Sequence, residues 1–208
     1  MDIDAETAKV LDALLPHTAF DGWTQRALRQ ALSDLGRDPD EARLLFAADT
    51  GMIEAAFALA DQRMVEAASG LEGGLTARVQ KTIALRLEQM AGDKEAIRRA
   101  MAHLALPGQA PRLARLIAAT TDSIWFAARD QAADFSWYTK RLILGAVWLA
   151  TLLFWLNDDS PEAEATLAFL DRRLAGVGRI GKFCHKAQER LARLIPNRPV
   201  MDEAPVHG

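Results

Sequence analysis

The chain has 208 residues, half of them hydrophobic and a quarter charged, with a net charge of −3. That is the composition of a globular protein with enough chain to bury a core, and its charge gives no general reason to expect nucleic-acid affinity. A single cysteine, Cys184, excludes an intrachain disulfide. The acidic start MDIDAETAKV lacks the layout of a secretory signal or a mitochondrial transit peptide, so a cytoplasmic protein is expected. Charge is uneven: up to Gly70 there are thirteen acids against six bases, a net of −7, and the remainder carries +4. An anionic partner would therefore favour the C-terminal part.

The first helix is expected from Ala5 to Leu15, with Ala8, Leu11 and Leu15 on one face and Pro16 as its end. Asp21 or Thr24 can cap a second helix from Trp23 to Leu35, which Gly36 stops. A short third helix follows around Asp40 to Ala48, and the three make the layout of a helix-turn-helix within residues 1–50. Its candidate recognition segment, DPDEARLLFAADTG, carries Asp38, Asp40, Glu41 and Asp49 against Arg43 and the preceding Arg37. Carboxylates repel phosphate, so DNA reading is not expected of it.

The helical body is expected over residues 51–176. Met52 to Ser69 carries Ile53, Phe57, Ala60 and Met64 on one stripe, and Gly70, Gly73 and Gly74 break it. Leu75 to Ala91 turns Val79, Ile83, Leu87 and Met90 inward. Asp93 can cap a helix bearing Ile97, Met101 and Leu104, and a turn at Pro107-Gly108 leads to a long helix from Pro111 to Ala128. Nothing alternates with strand period, so the fold class is all-α.

The stretch from Trp125 to Leu174 holds four of the five tryptophans and the one tyrosine. Its centre, Leu142 to Leu156, is apolar at every helical angle except at Gly145 and Thr151, which predicts a helix buried on all sides. At fifteen residues it falls short of the roughly 20 that cross a bilayer core. Ser160 as N-cap, Pro161 at the first position and Glu162 and Glu164 in the first turn mark the start of the next helix. Behind Gly176-Val177-Gly178, residues 177–195 are expected to form an amphipathic helix. Ile180, Phe183 and Leu191 lie on its apolar face, and Lys182, Lys186 and Arg190 on its polar side. Such a helix fits an anionic membrane surface, or it packs on its own domain. Residues 196–208 read as a disordered tail.

No catalytic constellation stands out. His17, His103, His185 and His207 are scattered without metal-ligand spacing, and no P-loop or dinucleotide fingerprint occurs. No catalytic residue, metal or cofactor is expected. Asp134, Trp137, Tyr138 and Arg141 fall at i, i+3, i+4 and i+7 and share a helical face. Aromatic residues and arginine anchor protein interfaces; a core aromatic pair with a neighbouring ion pair has the same pattern.

The segments LLPHTAFDGWTQRALRQALSDLG, LALPGQAPRLARLIAATTDSIWFAARD, DQAADFSWYTKR and, one helix later, DDSPEAEATLAFLDRRL resemble the Coq9 family of ubiquinone-biosynthesis proteins. The resemblance runs from about Leu14 to about Cys184. It implies a helical domain like that of the TetR regulators, with the helix-turn-helix at its start. It also implies a non-enzymatic protein that binds isoprenoid lipid or quinone between helices, with Leu142, Ile143, Ala146, Val147, Leu149, Ala150 and Leu153 as contributors. By the same resemblance, Asp134, Trp137, Tyr138 and Arg141 form the docking patch for a Coq7-type hydroxylase, although Lys140 stands where the family also shows arginine. Ile180, Lys182, Phe183, Lys186, Arg190 and Leu191 would then attach the protein peripherally to the membrane surface. Analogy with TetR-type proteins adds a homodimer through the Leu142–Leu156 helix and its successor. The alternative reading is a ligand-responsive regulator of TetR type, against which the acidic recognition segment argues.

Overall fold

The computed structural model describes residues 2–129 and 137–176, with the backbone alone at 137 and 138. The described residues form helices and turns without a strand. The helices are α1 (Ala5–Asp21), α2 (Gln25–Asp34), α3 (Ala42–Leu45), α4 (Asp49–Ala67), α5 (Leu75–Gln89), α6 (Lys94–Leu104), α7 (Ala110–Ala127), α8 (Trp137–Trp155) and α9 (164–176). The amphipathic helix and tail expected over 177–208 lie outside the described residues.

The N-terminal unit is α1 to α3. Asp4 caps α1 by accepting from the backbone N–H groups of Glu6 and Thr7. Contrary to the expectation from Pro16, α1 runs on to Asp21 with the proline inside it. Leu14 and Thr18, on either side of Pro16, are buried. Thr18 Oγ1 donates to Leu15 O at 2.7 Å. Tertiary packing on α2 thus outweighs the lost backbone donor. Thr24, rather than Asp21, caps α2 through Ala27 N–H. Gly36, at φ 68°, ends α2 in a Schellman arrangement, with Gly36 N–H on Ser33 O and Arg37 N–H on Leu32 O. The third helix is shorter than expected: a 3₁₀ turn over Pro39–Glu41 leads into a single α turn, Ala42–Leu45.

This unit shares one core with the body. Trp23, buried in the turn before α2, donates its indole N–H to Ala96 O on α6 at 2.9 Å. The apolar cluster extends from Val10 and Leu14 through Met52, Phe57, Ile83 and Met101 to Trp148 and Leu170. In the body, α4 packs on α5 and α7, and α7 packs on α8. Val79, Ile83, Leu87 and Met90 are all buried, as their spacing predicts. Asp93 makes no capping hydrogen bond; it closes a 3₁₀ turn, Ala91–Asp93, ahead of α6.

The helix α8 corrects a second expectation, since it is not buried all round. Leu144, Val147, Trp148, Thr151, Leu152 and Trp155 face the core, whereas Leu142 is 77 % exposed and Leu153 and Phe154 are also exposed. Its neighbours α7 and α5 cover one side only. Two cations from α6 satisfy carbonyls at its C-terminal end: Arg98 Nη2 donates to Leu156 O at 2.6 Å and Lys94 Nζ donates to Asp158 O. Lys94 also sits 5.3 Å from the Trp155 ring centroid.

The α8–α9 turn is built around Asp158 more than around Ser160. Asp158 Oδ1 accepts Ser160 N–H at 2.9 Å, and Oδ2 accepts Thr166 N–H at 2.8 Å and its hydroxyl at 2.5 Å. Ser160 Oγ accepts Ala165 N–H at 3.0 Å. Between them, Glu162 and Ala163 take positive φ inside a 3₁₀ turn, so α9 starts later than Ser160 and Pro161 suggest. Burial by itself would raise the Asp158 pKa, but the bonds from Ser160 and Thr166 outweigh it and hold the carboxyl well below the usual carboxylate range. A depressed folded-state pKa contributes stability that is complete above the unfolded value of about 3.9 and is lost as pH falls toward the folded value. Asp158→Ala is therefore expected to cost about 1–2 kcal/mol at pH 7. Urea titrations should show the gap between wild type and variant narrowing at pH 3; an unchanged gap would refute the carboxylate's role.

Candidate functional site: an apolar groove between α7 and α8

Opposite the core, α7 and α8 run antiparallel and leave a surface groove of about 550 Å³. Its walls are Ala110, Leu113, Ala114, Ile117 and Ala118 from α7, and Leu142, Gly145, Ala146 and Leu149 from α8. The groove exists because the alanines on the outer faces of both helices are too small to fill it. At its floor, a Cβ on Gly145 would stand 3.3 Å from Thr121 Oγ1 and 3.5 Å from Ile117 Cγ2, so glycine permits the close approach of the two helices. Thr121 spends its hydroxyl proton on Ile117 O at 2.6 Å. One end of the groove is polar, where the Arg141 guanidinium forms an ion pair with Asp122 of α7. A volume of this size with mainly apolar walls and few convergent polar groups is what small-molecule sites present.

Of the residues expected to line a lipid pocket, Leu142, Ala146 and Leu149 are in this groove. Val147 is in the core instead, and Ile143, Ala150 and Leu153 point past the groove. The proposed docking patch is only partly visible. Asp134 lies outside the described residues, Trp137 and Tyr138 are in the first turn of α8, and Arg141 is committed to Asp122.

Two other recesses have a different character. One, of about 640 Å³, is lined by Glu88, Lys94, Asp158, Ser160 and Glu162 together with apolar residues such as Leu87, Trp155 and Leu167. The other, of about 320 Å³ between α4 and α7, has Val65 and Phe126 at its sides and reaches Asp61. Asp61 belongs to a buried network that the sequence reading missed. Arg86, fully buried on α5, donates from Nε to Asp61 Oδ1 at 3.1 Å, and Thr120 of α7 donates to Asp61 Oδ2 at 2.9 Å. Burial pushes the Asp61 carboxyl up and opposes the charge on Arg86, while each partner's charge pulls the other back. A signal was there: Arg86 lies on the Val79, Ile83, Met90 stripe and Asp61 four residues after Phe57, so opposite charges face the core from consecutive helices.

In the N-terminal unit, Arg29 pairs with Asp40 at 2.8 Å and Arg37 pairs with Glu41. His17 Nε2 meets Asp34 Oδ2 at 2.7 Å, tying α1 to α2. The one-turn α3 points an 86 % exposed Leu44 outward. Among the described residues, no group of three or more His, Cys, Asp or Glu could hold a metal ion, and no helix is long and apolar enough to cross a membrane.

Residues 110–181, which contain the whole groove, match the COQ9 family model. The chain is 31% identical over 180 residues to the ubiquinone biosynthesis protein COQ9, mitochondrial, of Drosophila melanogaster, covering 83% of this chain and 55% of that protein. It is 27% identical over 183 residues to the human protein of the same name, covering 83% of this chain and 58% of that protein. The fission yeast protein of that name, from Schizosaccharomyces pombe, is 29% identical over 178 residues, covering 83% of this chain and 70% of that protein. The chain thus spans little more than half the length of these animal relatives. Among solved structures, a TetR transcriptional regulator from Nitrosomonas europaea superposes with a TM-score of 0.67 at 23% identity, covering 83% of this chain and 97% of that one. That likeness makes the fold TetR-like. Residues 110–181 thus match the COQ9 family model and 83% of the chain is similar to these COQ9 proteins, on an all-α, TetR-like fold.

Proposed function

We propose that this chain is a non-enzymatic accessory protein of ubiquinone biosynthesis that holds the polyprenyl tail of a quinone intermediate in the α7–α8 groove. It presents the head to a membrane-associated hydroxylase of Coq7 type docked at Asp134, Trp137, Tyr138 and Arg141. The observation that carries the reading is a coincidence of place: the segment matching the COQ9 family model, 110–181, contains every residue lining the apolar groove. The chain's contribution to rate would be positioning and local concentration of substrate, with the chemistry done by the partner. Ile180, Lys182, Phe183, Lys186, Arg190 and Leu191 would hold the protein on an anionic membrane surface, where the lipid is found.

A homodimer through α8 and α9 is part of the proposal. The outer faces of these helices leave Leu153 and Phe154 exposed, with Phe154 stacked on Phe169 at a centroid distance of 4.7 Å. DNA reading is not part of it. Arg29 and Arg37, which precede α3, are paired with Asp40 and Glu41, which disfavours phosphate contact by these two.

The test is mass spectrometry of the organic extract of purified protein, beside a variant lacking residues 179–208. A polyprenyl quinone or other isoprenoid should come with the full chain in near-stoichiometric amount. Two empty extracts, with tight binding to an operator-type DNA instead, would replace this reading by that of a ligand-responsive regulator.

A further inference from the structure

The segment 179–195 carries five bases against one acid, and the bases are not scattered. Arg179, Lys182, Lys186, Arg190 and Arg193 fall at i, i+3, i+7, i+11 and i+14, a single stripe along the expected helix. Ile180, Ala187, Leu191 and Leu194 make an apolar stripe beside it. We propose that the recess between α5 and the α8–α9 turn is the seat of segment 179–195 of the same chain, and that the seated segment is withheld from the membrane. The withholding rests on the membrane reading above; the seating does not.

The recess, of about 640 Å³, opens where α5 and α9 part. Gln80 Nε2 donates to Asp171 Oδ1, which ties the first half of α5 to the second half of α9. Toward the α8–α9 turn, Ala84, Leu87, Trp155 and Leu167 form an apolar wall, with Glu88 and Glu162 beside it. The other charged groups there are already satisfied. Lys94 donates to Asp158 O and lies against the Trp155 ring, and the Asp158 carboxylate accepts from Ser160 and Thr166. Glu88 and Glu162 are exposed and make no ion pair among the described residues. α5 ends at Gln89, so the negative end of its dipole adds to the charge on Glu88. Two unpaired carboxylates repel an anion, and a small cation would leave the apolar wall wet. A segment with a basic stripe beside an apolar one answers both.

Length and position select this segment. Leu167, in the wall of the recess, stands about 14 Å back along α9 from its last residue, 176. Gly176-Val177-Gly178 is long enough for the short loop of an antiparallel helix pair, and its glycines let the backbone reverse. The same rise from Gly178 ends at Ala187. Lys186 and Arg190 then come level with Glu88 and Glu162, and Leu191 with the apolar wall. Phe169, in the proposed dimer contact, is two residues from Leu167 and so lies on another side of α9. The apolar stripe of the segment can face the recess or a bilayer, not both. An anionic surface therefore competes with Glu88 and Glu162 for the same bases.

A carbodiimide, which joins a lysine amine to a carboxylate in direct contact, reads the seat in the full wild-type chain. A mixture of light and heavy-nitrogen chains is crosslinked, and the joined peptides are identified by tandem mass spectrometry. Lys186 should be joined to Glu88 or Glu162 within single chains. Vesicles of phosphatidylcholine and phosphatidylserine should remove these links, and vesicles of phosphatidylcholine alone should not. The double variant Glu88→Lys with Glu162→Lys, both at exposed positions, should bind the anionic vesicles about tenfold more tightly than wild type, because its segment is no longer seated. Links from Lys186 to neither glutamate, or links between chains, overturn the seat, whatever the vesicles do. Intrachain links that persist on saturating anionic vesicles overturn the withholding. If neither protein binds vesicles at all, the membrane reading fails and the withholding with it, while the seat stands on its links.

Discussion

Asp61→Ala should cost this protein about 3–5 kcal/mol of stability, because it leaves Arg86 buried and charged without its carboxylate. For a chain of this size that corresponds to a fall in Tm of roughly 10 °C or more. The pair joins three helices: Asp61 on α4, Arg86 on α5 and, through its hydroxyl, Thr120 on α7. Arg86 has little else to turn to. Its Nη2 reaches Phe57 O only at 3.5 Å, and Nη1 is buried with no acceptor among the described residues. Arg86→Ala should do comparable damage by stranding Asp61. The double variant Asp61→Leu with Arg86→Met should recover most of the loss, since two apolar side chains of similar volume need no compensation. Urea unfolding at pH 7 would measure all three. A loss below about 1 kcal/mol in the single variants would mean that water reaches the pair and that it is not the organising contact it resembles.

Ala146→Trp should abolish the proposed lipid binding and leave the fold intact. Ala146 is exposed on the outer face of α8, and no side chain of the described residues fills the groove beside it. An indole there fills the space that a chain would use, yet displaces nothing in the core, so the stability change should stay within about 1 kcal/mol. Lipid recovered in the organic extract should fall at least tenfold. Ala118→Trp, from the facing wall on α7, should act in the same way. The control is Ala102→Trp on α6, also exposed but outside the groove, which should leave the proposed binding unchanged. If Ala146→Trp binds lipid normally, the ligand lies elsewhere, and the coincidence of the groove with the family-matched segment is accidental.

The two variants probe opposite sides of the same helical layer. Facing inward, the buried pair holds α4, α5 and α7 in register. The outward side of α7, packed against α8, is left short of side-chain volume. A rigid inner layer is what allows a shallow outer groove to keep its shape with no ligand to support it.

Much of this was legible in the residues alone. Helical periodicity places Val79, Ile83, Leu87 and Met90 in the core, and Gly36 ends α2, because both follow from local geometry: the 3.6-residue repeat and the freedom of glycine at positive φ. The resemblance was legible too, since DFSWYTKR and DDSPE, the strings that carry it, lie within the residues that match the COQ9 family model. What the tertiary structure alone decided was where each helix found a neighbour. Leu142 and Leu144 are the same residue type on the same helix, yet one is exposed and the other buried, because α7 and α5 cover a single side of α8. Pro16 reads as a helix end until packing on α2 carries the helix past it. Arg141 has no visible partner in the sequence, and only the fold brings Asp122, nineteen positions earlier, within its reach on α7. Apolar pattern says which faces avoid water; only the arrangement of the other helices says which of those faces are covered, and the groove is a face left bare.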